Sequence, residues 1–262
     1  MLRVTNAYFQ STDSLAQLGN SGIYYEVGSI ESAKLIQNAL PMAMNKVENN
    51  QFKPFNKSPN IFVFATKQSF SKYSGSPLMA RGAVFNGSLY ISPRAIKTNT
   101  VKQILTHELS HMHFHQYIES SDIPAWFSEG MAVLVSDGAG AENVTREAAV
   151  ESILSGHSIK PNESGSLLFP KTANYFGLET HMFYRQSLMF VSHLKHTNSE
   201  RFELLINKLL GNTKFKTAFE ESFGESVDAL WVEFTNTLKP NKKFNNARSS
   251  LGRANARRLT WR

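Results

Sequence analysis

Two histidines four residues apart, His107 and His111, are the residues of this sequence best suited to bind a metal ion. On a helix, residues at this spacing lie about 40° apart around the axis and about 6 Å apart along it, so both imidazoles can approach one ion. Glu108 would lie beside such an ion, where its carboxylate could accept a proton from water. The H-E-x-x-H pattern therefore predicts a metal centre that activates water.

The stretch from Asn99 to Tyr117 is predicted to be the helix that carries both histidines. Asn99 or Thr100 can cap its start, and neither Pro nor Gly interrupts it. The two histidines thus fall in the middle of a rigid element. Apolar residues recur along this stretch at roughly helical spacing: Val101, Ile104, Leu105, Leu109, Met112 and Phe114.

Two further histidines of this helix are poor candidates for the third ligand that a catalytic zinc ion needs. His115 lies about 12 Å from His107 along the axis, too far for bonds near 2 Å to one ion. His113 points to another face. Both are predicted to lie on the helix surface or to be partners of the ligands.

Glu129 is the better candidate for the third ligand. A second helix beginning at Asp122 or Pro124 could fold back against the first and turn Glu129 toward the two histidines. An ionised carboxylate needs a partner when its neighbours are apolar. The neighbours of Glu129 in sequence are Trp126, Phe127, Met131 and Val133.

The two segments together resemble the gluzincin zinc peptidases, most closely their bacterial peptidase-MA-like group. Residues 106–111 read T-H-E-L-S-H, and residues 123–132 read I-P-A-W-F-S-E-G-M-A. In that group an H-E-L-T-H-like helix precedes a P-x-W-x-x-E-G-x-A segment that carries the third ligand. The resemblance extends, less specifically, from about Ile61 to Phe234.

The resemblance implies a zinc metallopeptidase with one Zn²⁺ per chain and a peptide or protein substrate. The implied zinc ligands are His107, His111 and Glu129, and Glu108 is the implied general base. Many gluzincins have an acidic residue four positions after the third ligand, where this chain has Val133. The partners that orient the histidines are therefore not assigned by the resemblance.

Peptide hydrolysis also needs a donor for the oxyanion that forms on the attacked carbonyl. In related gluzincins a Tyr or His on a later helix provides it. Tyr184 is the expected donor here, ahead of His181 and Tyr175. The alternative for Tyr184 is a packed aromatic residue on an amphipathic helix.

The rest of the sequence predicts an α+β fold, and the resemblance implies that it is of the zincin-like kind. A small N-terminal mixed sheet with a hairpin should pack on the zinc-bearing helix, followed by an all-helical C-terminal part. One hairpin strand is expected to be the sheet edge beside the metal, where such enzymes bind substrate backbone. Strands are predicted at 23–27 and 61–65, and hairpin strands at 83–85 and 89–91 around Asn86-Gly87. Helices are predicted at 31–47 and 68–73, and near 142–155, 178–196, 199–210, 213–222 and 226–238. Pro41 should kink or shorten the first of them. A long loop is predicted at 156–176.

A single catalytic domain is predicted over residues 21–238. Its α/β part covers 21–98 and its helical part 99–238. A loose arm over residues 1–20 should precede it, and a basic, disordered tail over residues 239–262 should follow it.

The surplus of positive charge lies in the tail. The 262 residues include 28 basic and 21 acidic ones, for a net charge of +7. The tail contains eight of the basic residues and no acidic one, which leaves 20 basic against 21 acidic residues elsewhere. We expect a solvated extension that can touch anionic surfaces, and no clear nucleic-acid partner for the body.

Cysteine is absent, which excludes disulfides and thiolate metal sites but does not fix the compartment. The N-terminus shows no signal peptide, and no apolar run approaches the roughly 18 residues of a membrane span. The localisation is therefore left open: we expect a cytoplasmic protein from the sequence as written, and an exported one if its N-terminus is incomplete, as relatives in the resembled family often are.

Two other functions compete with the peptidase. One is a non-catalytic domain of the same fold that uses the zinc site as a scaffold. The other is a binder of nucleic acid or anionic membrane through the basic tail, with an accidental H-E-x-x-H. An intact Glu108 favours catalysis over the scaffold, because a structural site has no need of that carboxylate.

Overall fold

A computed structural model of the chain describes residues 10–97, 100–118, 123–165 and 171–239. Within these residues the fold is α+β, as predicted, and mostly helical. The strands are β1 Ala16–Gln17, β2 Ile23–Tyr25, β3 Asn60–Val63, β4 Gly82–Phe85 and β5 Ser88–Ile91. The helices are α1 Ile30–Gln51, α2 Lys67–Ser74, α3 Pro93–Lys97, α4 Val101–His115, α5 Ala125–Val135, α6 Arg146–Leu154, α7 Thr180–Thr197, α8 Ser199–Leu210, α9 Phe215–Phe223 and α10 Val227–Thr237, with a 3-10 turn at Ala173–Phe176.

The five strands form one mixed sheet in the order β1-β2-β3-β5-β4. The central strands β2, β3 and β5 are parallel, and β1 and β4 pair antiparallel at the two edges. Asn86 and Gly87, with φ of 48° and 69°, form the two-residue turn between β4 and β5. This left-handed pair matches the twist of a hairpin, so the predicted hairpin is confirmed, and β4 is an edge strand.

The two faces of the sheet bury different side chains. Ile61 and Val63 of β3 face the main core, whereas Phe62 and Phe64 face a smaller aromatic cluster. This alternation is the period of two expected for a strand. Helices α1 and α4 cover the main-core face with these buried residues: Ile36, Ala39, Ala43, Val47, Ile104, Leu105, Leu109 and Met112.

Two local expectations differ from the structure. Pro41 lies inside α1, on its exposed side, and the helix continues past it for more than two turns to Gln51. The buried residues on the opposite face of α1 hold the helix together despite the lost backbone hydrogen bond. Residues 1–20 were predicted to be a loose arm, but Ala16–Gln17 pairs with β2 as an edge strand. Residues 1–9 of that arm lie outside the described residues.

Other predicted features fall in the parts of the chain that the structure leaves undescribed. They are the capping role of Asn99, the helix start at Asp122, part of the loop at 156–176, and the basic tail beyond Lys239. Of the helices that are described, none combines the length and the apolar character needed to cross a lipid bilayer.

Buried aromatic residues of the C-terminal helices should carry much of the stability. Phe202 of α8 is fully buried, whereas Leu204 on the same helix is 43% exposed. We expect Phe202→Ala to lower the free energy of unfolding by about 3–5 kcal/mol, because a cavity adds to the lost burial. Leu204→Ala should cost less than about 1 kcal/mol. Urea denaturation followed by circular dichroism measures both, and equal losses would contradict the described packing.

Candidate metal centre

His107, His111 and Glu129 meet at one point in the structure. The Nε2 atoms of His107 and His111 are 3.3 Å apart. Glu129 Oε2 lies 3.4 Å from His107 Nε2 and 3.5 Å from His111 Nε2. A tetrahedral ion with bonds of about 2.0–2.1 Å separates its ligand atoms by about 3.3–3.4 Å. The three atoms therefore form a triangle of the size that such an ion requires.

Helix α4 holds the two histidines in place. Its buried side anchors it to the sheet, and His107 is itself 6% exposed. The last residue of α1, Gln51, is fully buried and donates from Nε2 to Ser110 Oγ at 2.6 Å. This hydrogen bond ties α1 to the turn of α4 that lies between the two ligands.

Helix α5 supplies Glu129 from the opposite side. Its residues Trp126 and Phe127 are fully buried in the main core. At Gly130, an added Cβ would lie 2.6 Å from Val191 Cγ2 and 2.7 Å from the Ser187 carbonyl oxygen. Gly130 thus permits α5 to pack closely on α7, which fixes the helix turn that carries Glu129.

The partners of the two imidazoles differ. His111 Nδ1 lies 3.0 Å from Ser128 Oγ, and Ser128 directly precedes Glu129. His107 Nδ1 is buried and has no hydrogen-bond partner among the described residues. Ser128 is therefore the residue that orients a histidine, and no sequence motif pointed to it.

Glu108 lies against the edge strand β4. An added Cβ at Gly82 would lie 2.7 Å from Glu108 Cγ and 2.8 Å from its Oε1. Burial raises the pKa of the Glu108 carboxyl to about 7, with His111 opposing and Glu129 adding to the shift. A carboxyl with such a pKa can both accept and release a proton near neutral pH.

Glu129 has the opposite electrostatic environment. Burial acts to raise its pKa, but the adjacent rings of His111 and His107 outweigh burial and lower it. Its Oε2 atom is shielded from solvent and accepts no hydrogen bond of normal geometry from the described residues. Glu129 is thus an ionised carboxylate with an unsatisfied oxygen directed at the two imidazoles.

Tyr184 of α7 completes the group. The rings of His107 and Tyr184 have centroids 5.9 Å apart. The negative charge of Glu129 raises the pKa of Tyr184 well above its usual value, and burial and the charge of Glu108 act in the same direction. Tyr184 therefore keeps its proton and can serve as a hydrogen-bond donor.

The remaining sequence candidates lie apart from this cluster. Tyr175 is 64% exposed. Both ring nitrogens of His181 contact the loop that precedes α6. His115 is exposed. His113, predicted to lie on the surface or beside the ligands, is instead fully buried, with Nε2 donating to the Lys53 carbonyl oxygen at 2.8 Å.

Similarity to known proteins does not identify this site. No family model matches the chain, and no curated protein matches it. The resemblance of residues 106–111 and 123–132 to gluzincin motifs stays a prediction.

Loss of any one of the three candidate ligands should weaken zinc binding strongly. We expect His107→Ala, His111→Ala and Glu129→Ala each to lower the zinc affinity by more than about 100-fold. Removal of a residue that only hydrogen bonds to a ligand typically lowers the affinity by roughly 10–100-fold. Ser128→Ala should fall within that smaller range. Competition against a chelating dye measures the affinities, with the exposed His115→Ala as control. A ligand variant that binds zinc like the wild type would refute the assignment.

The raised pKa of Glu108 should make the metal-free protein less stable as the pH rises. Between the ordinary value of 4.5 and the folded value of about 7, the folded state binds more protons than the unfolded state. The contribution of this group to the free energy of unfolding therefore falls across that range. Glu108→Gln removes the effect. The free energy of unfolding of the variant minus that of the wild type should therefore be on the order of 1 kcal/mol larger at high pH than at low pH.

Urea denaturation in the presence of a chelator, at about pH 5 and about pH 8, measures this difference. Glu129 adds little to the comparison, because its lowered pKa keeps it ionised in both folded proteins at both pH values. The same stability difference at both pH values would show that the Glu108 carboxyl titrates normally.

Proposed function

We propose that this protein is a zinc-dependent metallopeptidase of the gluzincin type with a zincin-like fold, which hydrolyses peptide bonds in a peptide or protein substrate. The triangle formed by His107 Nε2, His111 Nε2 and Glu129 Oε2, with sides of 3.3–3.5 Å, carries the proposal. Two imidazoles and one carboxylate are a donor set of catalytic zinc sites, which keep a further position open.

The residues present fit a zinc ion in chemistry as well as in spacing. Glu129 is ionised, and its buried Oε2 atom has no hydrogen-bond partner among the described residues. A cation bound there would satisfy this oxygen. When bound, zinc would supply a Lewis acid that makes water more acidic and polarises the carbonyl of the substrate.

Glu108 is the proposed general base. Its carboxylate belongs to the same helix turn as His107, lies against Gly82 and is outside the His107–His111–Glu129 group, so it could act on water instead of serving as a ligand. It would take a proton from the attacking water molecule and pass it to the nitrogen of the departing amine. A single carboxylate can perform both transfers in sequence.

Tyr184 is the proposed donor to the oxyanion. Its phenol is protonated and partly buried, and its ring lies next to that of His107. A fixed donor in such a site stabilises negative charge as it develops on the attacked carbonyl, and removal of one such donor typically lowers kcat by about 10²–10³-fold.

The edge strand β4 is the proposed binding surface for the substrate backbone. It pairs with β5 on one side, and it begins at Gly82, which contacts Glu108. An extended peptide added to the other side would lie beside the base. The absence of a side chain at Gly82 leaves room for Glu108 beside this strand.

Replacement of the base tests the proposal directly. We expect Glu108→Gln to retain zinc at one ion per chain and to lose at least about 10²-fold in kcat, because an amide cannot accept the proton. Cleavage of a mixed peptide library, read by mass spectrometry with and without a chelator, gives the rates. His115→Ala is the matched control, since it alters an exposed residue of the same helix.

Two outcomes would overturn the proposal. Normal cleavage by Glu108→Gln would exclude this carboxylate as the base. Stoichiometric zinc in the wild type without cleavage of any peptide would instead support the non-catalytic scaffold.

A further inference from the structure

A short loop between α5 and α6 contacts both sides of the proposed site. This segment, residues 138–144, is called the 138–144 loop below. Gly138 and Gly140 have φ of 97° and 92°, a region that glycine adopts without strain. The loop therefore has a specific shape that other residues at these two positions would disturb.

On the helical side, side chains of α7 near Tyr184 contact the backbone of the loop. An added Cβ at Gly140 would lie 2.5 Å from Tyr184 Cδ2, so the phenol ring lies directly on the loop backbone. His181 Nδ1 donates to the Gly140 carbonyl oxygen at 2.6 Å. Arg185 donates to the carbonyl oxygens of Val144 at 2.7 Å and Ala141 at 2.9 Å.

On the sheet side, one ion pair connects the loop to the edge strand. Arg81 Nη1 lies 2.9 Å from Glu142 Oε1, and the two side chains are only 25% and 34% exposed. The Arg81 carbonyl oxygen accepts a hydrogen bond from the Ser92 N–H at 2.9 Å, which fixes its backbone to the end of β5. The next residue, Gly82, contacts Glu108.

The contacts form a continuous series from Glu108 to Tyr184, the two proposed catalytic side chains. It runs from Glu108 through Gly82 and Arg81 to Glu142. From there it passes along the loop to Gly140 and the ring of Tyr184. Among the described residues, the Arg81–Glu142 ion pair is the side-chain contact in this series that joins the sheet part to the loop.

We propose that Arg81 and Glu142 are a positioning pair that fixes the Tyr184 phenol relative to Glu108. The proposal rests on the proposed peptidase function. Neither residue touches the reacting atoms; the pair holds the 138–144 loop, and the loop holds the phenol ring. A donor misplaced by about 1 Å can lower a rate by about 10²-fold, so a distant ion pair can matter to turnover.

Kinetics of variants in two backgrounds test the pair. We expect Arg81→Met and Glu142→Gln each to lower kcat by about 10–100-fold, with KM within about threefold and zinc still bound at one ion per chain. In a Tyr184→Phe background the same substitutions should change kcat by less than about twofold, because the donor that they position is gone.

Glu221→Gln is the matched control. It breaks the Lys208–Glu221 ion pair, whose atoms are 2.6 Å apart and which joins α8 to α9, helices that carry none of the site residues. Its kcat should equal that of the wild type. Unchanged kcat in Arg81→Met, or a further loss of tenfold or more in the Tyr184→Phe background, would overturn the proposal.

Hydrogen exchange separates failure of this inference from failure of the proposed function. If the wild type cleaves no peptide, the peptidase assignment fails, but the pair can still be judged. Arg81→Met should then speed amide exchange in the 138–144 loop, while β4, held by its pairing with β5, and α9 stay unchanged. Unaltered exchange in the loop would refute the pair. If Glu142→Gln does not fold, Arg81→Met alone carries both measurements, because it breaks the same contact from the other side.

Discussion

The burial of one carboxylate and two imidazoles in mutual contact is the constraint on which the rest of the structure depends. Burying an ionised carboxylate costs several kcal/mol unless its oxygens are paired. The Oε2 atom of Glu129 is buried, and the nearest nitrogens are 3.4 and 3.5 Å away. A single divalent cation would satisfy all three groups at once.

Local patterns in the sequence were sufficient for the parts of the site that depend on short spacings. The pair His107 and His111 needs only a helix, and the apolar period of that segment predicted one. Asn86-Gly87 predicted the hairpin, because few residue pairs adopt left-handed φ twice in succession. Glu129 was predicted from its apolar neighbours, which make an unpaired charge costly, and from the motif around it.

Features that depend on distant residues could not be read from the sequence in the same way. The strand Ala16–Gln17 has little apolar character and exists through its pairing with β2. The Arg81–Glu142 ion pair joins residues 61 positions apart, and each taken alone looks like an ordinary surface charge. Ser128 lies within a recognised segment, but its hydrogen bond to His111 depends on how α5 crosses α4, which no spacing rule gives.

Two glutamates near the same histidines, Glu108 next to His107 in sequence and Glu129 close to both rings in space, have pKa values shifted in opposite directions, and this difference separates their roles. Burial against Gly82 raises the pKa of Glu108 to about 7, whereas the two imidazoles lower that of Glu129 despite its burial. A carboxylate that stays ionised suits a ligand, and one that exchanges its proton near neutrality suits a base. The sequence contains identical side chains at the two positions. Glu108 packs against β4, whereas Glu129 packs against the histidines of α4, and these surroundings make the two carboxylates chemically distinct. The arrangement of the helices and the edge strand, more than residue type, therefore determines which glutamate could bind metal and which could move protons.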